Sequence, residues 1–303
     1  MGVGQVEQAQ RLAKEVWQDV FQKETGIKLD FPLKPELVLR TYMSMDPGGS
    51  LAAWSGERMV GAIYAHAWGK AGWVGPMEVD PSWQGRGVGT SLLHAAEGYL
   101  KREGCETIGL EAMSERHRSA SFYESRGYRP VGDAPFFDKR LDCPQSIAPS
   151  VSQIDRKDAP SWSRPISDLC RSISPGLDLS REVQGAMAIG KVLVDVSGSG
   201  TLNGLAVLHT EGSKDLGGHQ LRLMLVDPSS RDRNEVGKAL LSSCEALSQR
   251  AGAGRLFFTT TFDEALIDLL VLRKYRILGT NVRLVKGKGD ILWWGGNIIS
   301  WTG

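Results

Sequence analysis

The sequence lacks the features that mark several classes of protein. Its four cysteines stand singly along 303 residues, without a Cys-x-x-Cys pair, which argues against a disulfide framework and a zinc knuckle. None of its five histidines form a His-x-x-x-His pair, so no metal site is expected. A cytoplasmic protein without a metal is the prediction.

Strong charge and long apolar runs are missing as well. The formal net charge of +1 gives no reason to expect nucleic acid or an anionic membrane as a partner. No apolar run approaches the roughly 20 residues needed to cross a bilayer. The N-terminus turns directly into an amphipathic pattern, without the apolar core of a signal peptide. Neither nucleic acid nor a membrane is therefore an expected partner.

Strand-like and helix-like segments alternate along the chain, which indicates an α/β (or α+β) fold. The first half contains the following predicted elements in order: helix 5–23, hairpin 50–68, strand 72–80, helix 87–104, strand 106–113, helix 118–126 and strand 128–141. The total length exceeds what one hydrophobic core usually organises.

The second half repeats the first. Asp-Pro-Ser at 80–82 recurs 147 positions later at 227–229, and Tyr-Arg at 128–129 recurs at the same offset at 275–276. The Pro- and Ser-rich stretch after residue 141 separates the two copies. We therefore predict two tandem domains, 1–145 and 146–303, built from one α/β unit.

A glycine-rich turn, Gln-Gly-Arg-Gly-Val-Gly at 84–89, lies between a predicted strand and a predicted helix. Free amides at a helix N-terminus bind phosphate oxygens, and glycines let the main chain approach them closely. No lysine follows Gly89, as a Walker motif requires, and Thr90 stands where the dinucleotide fingerprint needs glycine. Such turns alone are weak evidence, since many are only tight turns.

The pattern that fits is Gln-x-x-Gly-x-Gly, which resembles the coenzyme A pyrophosphate loop of the GCN5-related N-acetyltransferases. A second block at 115–132 resembles another signature of that family, through Phe-Tyr-Glu at 122–124 and Gly-Tyr at 127–128. The family's asparagine and alanine positions there hold Arg116 and Ser119. The resemblance implies, in each copy, a mixed and mostly antiparallel central sheet flanked by helices.

The resemblance also implies a co-substrate and the residues that hold it. Acetyl-coenzyme A would lie between two splayed parallel strands, without a metal, and its acceptor would be a primary amine. The binding residues implied by the resemblance are Met77, Val79, Gln84, Gly85, Arg86, Gly87, Val88, Gly89, Thr90, Arg116, Ser119 and Tyr123.

Two side chains are the candidate catalytic groups in the first copy. An alkylammonium must lose a proton before it attacks, and the resemblance assigns that base to Glu111 and the general acid to Tyr123. Glu78 and Asp80 are alternative bases. Glu111 could instead be a structural carboxylate paired with a nearby arginine, and Tyr123 could be a packing residue.

The second copy lacks this chemistry. Asp232 and Asn234 replace Gly85 and Gly87, and Leu270 replaces Tyr123. We expect it to keep the fold without catalysing, and expect the C-terminal segment 289–303 to cross back and pair with the first domain. An acyl-coenzyme A-binding regulatory protein without turnover is the alternative to an acetyltransferase. The acceptor is not readable from the sequence, and a monomer and a homodimer are both open.

Overall fold

A computed structural model of the chain describes residues 1–28, 30–113, 117–211, 217–230, 232–261, 263–288 and 297–300. Its strands are β1 (Ser50–Ser55), β2 (Arg58–Trp68), β3 (Ala71–Val79), β4 (Thr107–Met113), β5 (Arg129–Arg140), β6 (Val151–Gln153), β7 (Gly190–Val196), β8 (Leu202–His209), β9 (Gly218–Val226), β10 (Arg255–Thr259), β11 (Arg276–Gly287) and β12 (Ile298–Ile299). Its helices are α1 (Val6–Thr25), α2 (Glu36–Met45), α3 (Val88–Arg102), α4 (His117–Glu124), α5 (Ala159–Ile173), α6 (Ser180–Ala186), α7 (Arg233–Arg250) and α8 (Glu264–Leu272).

The mixed α/β fold predicted from the sequence is confirmed. In the first half, β1 and β2 form a hairpin, β3 continues it antiparallel, and α3 crosses over to β4, which runs parallel to β3. α3 buries Leu92, Leu93 and Leu100 against the sheet, and its last turn carries two basic residues where the helix dipole favours cations. No helix of the described residues is long and apolar enough to span a bilayer.

The two halves share one continuous sheet with exchanged strands. Its order is β1-β2-β3-β4-β11-β5-β10-β9-β8-β7-β6. β11 of the second half therefore lies beside β4 of the first half, and β5 of the first half lies beside β10 of the second half. β5 and β11 are antiparallel to each other in the middle. The sequence repeat revealed two copies but gave no sign of this exchange.

Corresponding ion pairs link the two copies in both directions. Lys286 on β11 places its Nζ 2.9 Å from both carboxylate oxygens of Glu97 on α3. Lys139 on β5 places its Nζ 2.7 Å from Glu245 on α7. Each copy thus sends a lysine from its last strand to a buried glutamate of the other copy.

Each copy also has a glycine on its hairpin's second strand, β2 or β8, where that strand passes under the crossover helix. A Cβ built on Gly61 would lie 2.8 Å from Leu92 Cδ1, and one built on Gly204 would lie 3.0 Å from Leu240 Cδ1. Both distances are shorter than ordinary contacts, so both helices sit close to the sheet because these positions lack a side chain.

The described part of the C-terminal segment pairs within the second half. The part described, 297–300, contains β12, which pairs antiparallel with β9 of the second half through Ile298 and Ile299. Residues 289–296 and 301–303 lie outside the described residues. The strand that crosses to the first half is β11, which completes the sheet beside β4 and leaves no edge there for another strand.

Candidate active site

A slot opens in the first half where β3 and β4 part. The two strands pair in parallel only from Ala71 to Trp73 on β3 and from Thr107 to Gly109 on β4. Beyond these residues no pairing joins them in the described part of the chain. Their facing main-chain groups are then available to a ligand that lies between the strands, and Met77 and Val79 stand on the β3 side of this slot.

The glycine turn lies at the mouth of the slot. Gly85 and Gly87 have φ of 75° and 85°, a left-handed conformation that glycine adopts without steric cost. Both are exposed, and a Cβ at either position would meet nothing within 4 Å. Gly87 is the N-cap of α3, whose first turn carries no acidic side chain. These exposed amides fit a diphosphate, the anionic group of coenzyme A.

Gly89 plays a different part from the other two glycines. A Cβ there would lie 3.5 Å from Phe122 Cζ and 3.7 Å from both Met77 Cε and Val79 Cγ2, which is ordinary van der Waals contact. It is the point where α3 packs on β3 and α4.

Arg126 fixes the start of α3 to the end of α4. Its Nη2 donates to Thr90 Oγ1 at 2.6 Å, and its Nη1 donates to the Phe122 carbonyl at 2.6 Å. The guanidinium carbon also lies 3.7 Å from the centre of the Phe122 ring. Arg126 was not predicted to be a site residue, although it lies inside the second signature block. These contacts join the start of α3 and α4 into one unit.

Tyr123 is half-buried on α4, and its ring lies edge-on to Phe122 and Tyr128 at 5.1 and 5.9 Å. Burial raises the pKa of Tyr123 to about 12, so its hydroxyl keeps its proton at physiological pH. Tyr123 packs against the same hydrophobic core as Met77, Val79 and Val88.

The remaining predicted binding residues are placed around this unit. Gln84 is exposed, and its Nε2 donates to the Val79 carbonyl at 3.1 Å. The guanidinium of Arg86 lies 5.1 Å from the centre of the Trp83 ring. Ser119 lies on α4, one turn before Tyr123. Arg116 lies outside the described residues.

Glu111 on β4 is held by the second copy. Its Oε1 accepts from Arg283 Nη2 at 2.5 Å and from Arg283 Nε at 3.2 Å, and its Oε2 accepts from Asn281 Nδ2 at 3.3 Å. Both side chains of the ion pair are almost fully buried. β4 and β11 are in register at this point. No local sequence pattern indicates that Arg283 contacts Glu111, because the contact depends on the exchange of strands.

The two alternative bases, Glu78 and Asp80, also have polar partners. Glu78 is buried, and Lys34 Nζ lies 3.1 Å from its Oε1. Asp80 caps a short turn by accepting from the Ser82 amide at 2.8 Å. Although burial opposes it, the hydrogen bonds from Ser82 and the charge of Arg58 lower the pKa of Asp80. Asp80 is accordingly a turn residue.

The corresponding slot of the second copy is filled. β9 and β10 pair in parallel only from Gly218 to Gln220 on β9, and β12 then occupies the space where they part. Asn297 Oδ1 accepts from the amide of Val226 at 2.8 Å, and the amide of Thr259 donates to Ser300 Oγ at 2.9 Å. The chain's own C-terminal segment thus takes up main-chain groups that the first copy leaves open.

Acidic side chains surround the start of α7, the helix that corresponds to α3. Asp232 is its N-cap, and Glu235 lies in its first turn. Together with Asp195 they line a cavity of about 500 Å³. Because like charges repel, this cavity does not suit a diphosphate.

Comparison with known proteins agrees with the fold. Residues 10–128 match the family described as Acetyltransferase (GNAT) family. An acetyltransferase of Sodalis glossinidius is 28% identical over 107 residues, which cover 35% of this chain and 75% of the relative.

Solved structures extend the likeness to the whole chain. An acetyltransferase structure from Pyrococcus horikoshii has a TM-score of 0.68 at 15% identity and covers 95% of this chain and 88% of its own. A tandem GNAT protein from the clavulanic acid biosynthesis pathway has a TM-score of 0.59 at 15% identity and covers 95% and 96%. At this identity the likeness concerns the fold, including its tandem arrangement. The match to the GNAT acetyltransferase family therefore concerns residues 10–128, and the whole chain has the fold of the tandem GNAT protein.

Proposed function

We propose that the protein transfers an acetyl group from acetyl-coenzyme A to a primary amine, either a small molecule or a peptide N-terminus, at the slot between β3 and β4. The observation that carries this proposal is the contrast between two equivalent slots. The first is open and has a bare glycine turn at its mouth, whereas the second is filled by residues 297–300 and has acidic residues at its mouth. We therefore assign catalysis to residues 1–145.

Different residues of the first copy would bind different parts of acetyl-coenzyme A. The amides around Gly85 and Gly87 would hold the diphosphate, with Gln84, Arg86 and Thr90 beside it. The main chain of β3 near Met77 and Val79 would hold the pantetheine arm together with Ser119 on α4, and Arg116 is assigned to it by the sequence resemblance alone. When bound, acetyl-coenzyme A supplies an acyl group activated as a thioester. A main-chain amide fixed beside its carbonyl would be the oxyanion donor.

Tyr123 is the proposed general acid. Its hydroxyl is protonated at physiological pH, as an ordinary tyrosine is, and burial raises its pKa further. α4, which carries it, packs against β4 on one side of the slot. Tyr123 would give its proton to the departing thiolate, which allows the amine to attack the thioester directly without an acyl-enzyme.

Glu111 stays the candidate base, acting directly or through a water molecule. It stands on β4 at the point where the strands part, but its two oxygens already accept hydrogen bonds from Arg283 and Asn281. A proton from the amine would have to reach an oxygen lone pair beside these donors. The same contacts give Glu111 a second candidate role, which is to anchor β11 of the second copy to the active site.

For residues 146–303 we propose a structural role. They supply β11, which covers β4, and they supply Arg283 and Asn281 to Glu111. The cytoplasmic location, the absence of nucleic acid and membrane partners, and the choice between monomer and homodimer stay predictions from the sequence.

The test is coenzyme A release from acetyl-coenzyme A in the presence of a panel of primary amines. We expect Tyr123→Phe to lower kcat about 100-fold with little change in the KM for acetyl-coenzyme A, since general acids contribute about 10²–10⁴ in rate. Tyr128→Phe removes a neighbouring hydroxyl and is the matched control. Binding of acetyl-coenzyme A without amine-dependent release would instead support the regulatory alternative.

Glu111→Gln separates the two roles of that residue. Glutamine can still accept from Asn281 but cannot take up a proton. A base role predicts a loss in kcat that shrinks as the pH rises and more of the free amine is present. A purely anchoring role predicts a lower melting temperature with the pH profile unchanged.

A further inference from the structure

A cluster of three ionisable side chains lies between the two copies, away from the slot. Asp46 follows α2, His66 lies on β2, and Glu182 lies on α6 of the second copy. Each is only 1% exposed. One oxygen or nitrogen atom of each lies within 4.8 Å of the others.

Each carboxylate has one oxygen bound and one oxygen bare. Tyr99 Oη donates to Asp46 Oδ1 at 2.8 Å, and Trp68 Nε1 donates to Glu182 Oε1 at 2.8 Å. Asp46 Oδ2 and Glu182 Oε2 are buried and have no hydrogen-bond partner among the described residues. An oxygen of this kind is costly to bury unless a cation or a donor meets it.

The distances around His66 suit a small metal ion. Its Nδ1 lies 3.0 Å from Glu182 Oε1 and 3.7 Å from Asp46 Oδ2. Ligands at about 2.0–2.1 Å from a tetrahedral Zn²⁺ are separated by roughly 3.3 Å, a value between these two. One imidazole nitrogen and two carboxylate oxygens are the ligand types of such sites. The hydrogen bond from Tyr99 to Asp46 Oδ1 would then orient that carboxylate from outside, whereas Glu182 Oε1 would accept from Trp68 and ligate the ion with the same oxygen.

We propose that Asp46, His66 and Glu182 bind one divalent transition-metal ion of the Zn²⁺ class, with a water molecule as the fourth ligand. The ion joins the first copy to the second at a distance from the acyl-transfer site. Its role is structural, since the ligands come together only when α6 packs against α2 and β2. Binding would therefore be coupled to folding.

The three ligands could not be predicted from the sequence, because Asp46 and His66 are 20 positions apart and His66 and Glu182 are 116 positions apart. No local spacing motif contains all three. The expectation of a protein without a metal came from local motifs of this kind. A contact across a tandem repeat has no such motif.

A proton on His66 competes with the metal ion. Burial alone would lower the pKa of His66, but the nearby carboxylates of Glu182 and Asp46 raise it to about 9. Arg181, whose Nη1 lies 3.7 Å from Asp46 Oδ1, is the other nearby cation, and Glu103 lies 3.9 Å from that arginine. A metal must displace the proton from His66, so its affinity is expected to rise with pH.

The test is titration of the full-length protein with Co²⁺ and Zn²⁺ after treatment with EDTA. We expect one equivalent to bind with a Kd below about 1 μM, with the visible absorption of tetrahedral Co²⁺. Saturating Zn²⁺ should raise the melting temperature by about 4 °C. Because these measurements use the unmodified protein, they do not depend on whether a variant folds.

Variants then locate the site. Asp46→Asn and Glu182→Gln should each weaken metal binding by about 100-fold, and Tyr99→Phe should weaken it by about 10-fold through loss of orientation. Glu103→Gln and His94→Gln are controls that remove a neighbouring carboxylate and an exposed histidine without removing a ligand. The absence of saturable binding to the unmodified protein, or equal binding by all the variants, would overturn the proposal.

Discussion

The two copies differ most where their parallel strands part. In the first copy the space beyond Trp73 is open to a ligand, and in the second copy the equivalent space holds β12 and the side chain of Asn297. The surrounding framework is nevertheless the same, down to the glycine that lets the crossover helix approach the sheet. The two copies thus keep one fold although the strand pairing and the turn residues at this place differ.

The largest effect is expected from moving the second copy's turn into the first. Gly85→Asp with Gly87→Asn places a carboxylate at the proposed diphosphate site and bulk at two left-handed positions. We expect the affinity for coenzyme A to fall by about 100-fold or more, because strain and repulsion together exceed roughly 2.7 kcal/mol. Isothermal titration calorimetry measures this directly.

The reverse exchange sharpens the comparison. Asp232→Gly with Asn234→Gly removes the acidic turn but leaves the slot filled by residues 297–300. Binding should stay at one coenzyme A per chain. A second equivalent would show that the turn, and not the filled slot, excludes the co-substrate from the second copy.

A smaller effect is expected at the two exchanged ion pairs. Lys286→Met leaves the buried carboxylate of Glu97 without its lysine, whereas Lys139→Met leaves Glu245 with Arg273 and the Tyr275 hydroxyl. Since an uncompensated buried charge is destabilising, we expect losses in unfolding free energy of about 2 kcal/mol and about 1 kcal/mol respectively. Urea denaturation measures both, and equal losses would contradict the asymmetry.

The smallest effect is expected at the helix end that precedes the last strand of each copy. Gly127 has φ of 86°, and the corresponding Lys274 has φ of 64°, which is unfavourable for a residue with a Cβ. Lys274→Gly should stabilise the protein by about 0.5–1 kcal/mol, as shown by a higher denaturation midpoint. Gly127→Ala should shift the midpoint in the opposite direction.

Local patterns were sufficient to predict much of the fold. The hairpin of β1 and β2, the glycine turn and α3 depend on residues close in sequence, and each was predicted near its observed bounds. The turn's conformation follows from glycines that can adopt positive φ. Short-range chemistry therefore defines the framework of the proposed co-substrate site.

Contacts between distant residues were not predictable in this way. The pairing of β11 with β4 brings Arg283 to Glu111, and nothing in either strand's own pattern specifies that neighbour. Trp68 and Trp73 illustrate the same limit. They stack at 5.7 Å in a core shared with the second copy, and no pattern near either residue specifies that neighbourhood. A bulky aromatic residue looks alike in sequence whether it lines a cleft or joins two domains.

The exchange of β5 and β11 has a consequence for how such a chain could arise. A strand of the other half completes the sheet of each half. A single ancestral unit could therefore have exchanged its terminal strand with an identical molecule. Gene duplication would then have converted an obligate partnership between two molecules into one polypeptide. Severing the chain between residues 141 and 150 should accordingly yield fragments that reassociate with each other, because each retains what the other requires.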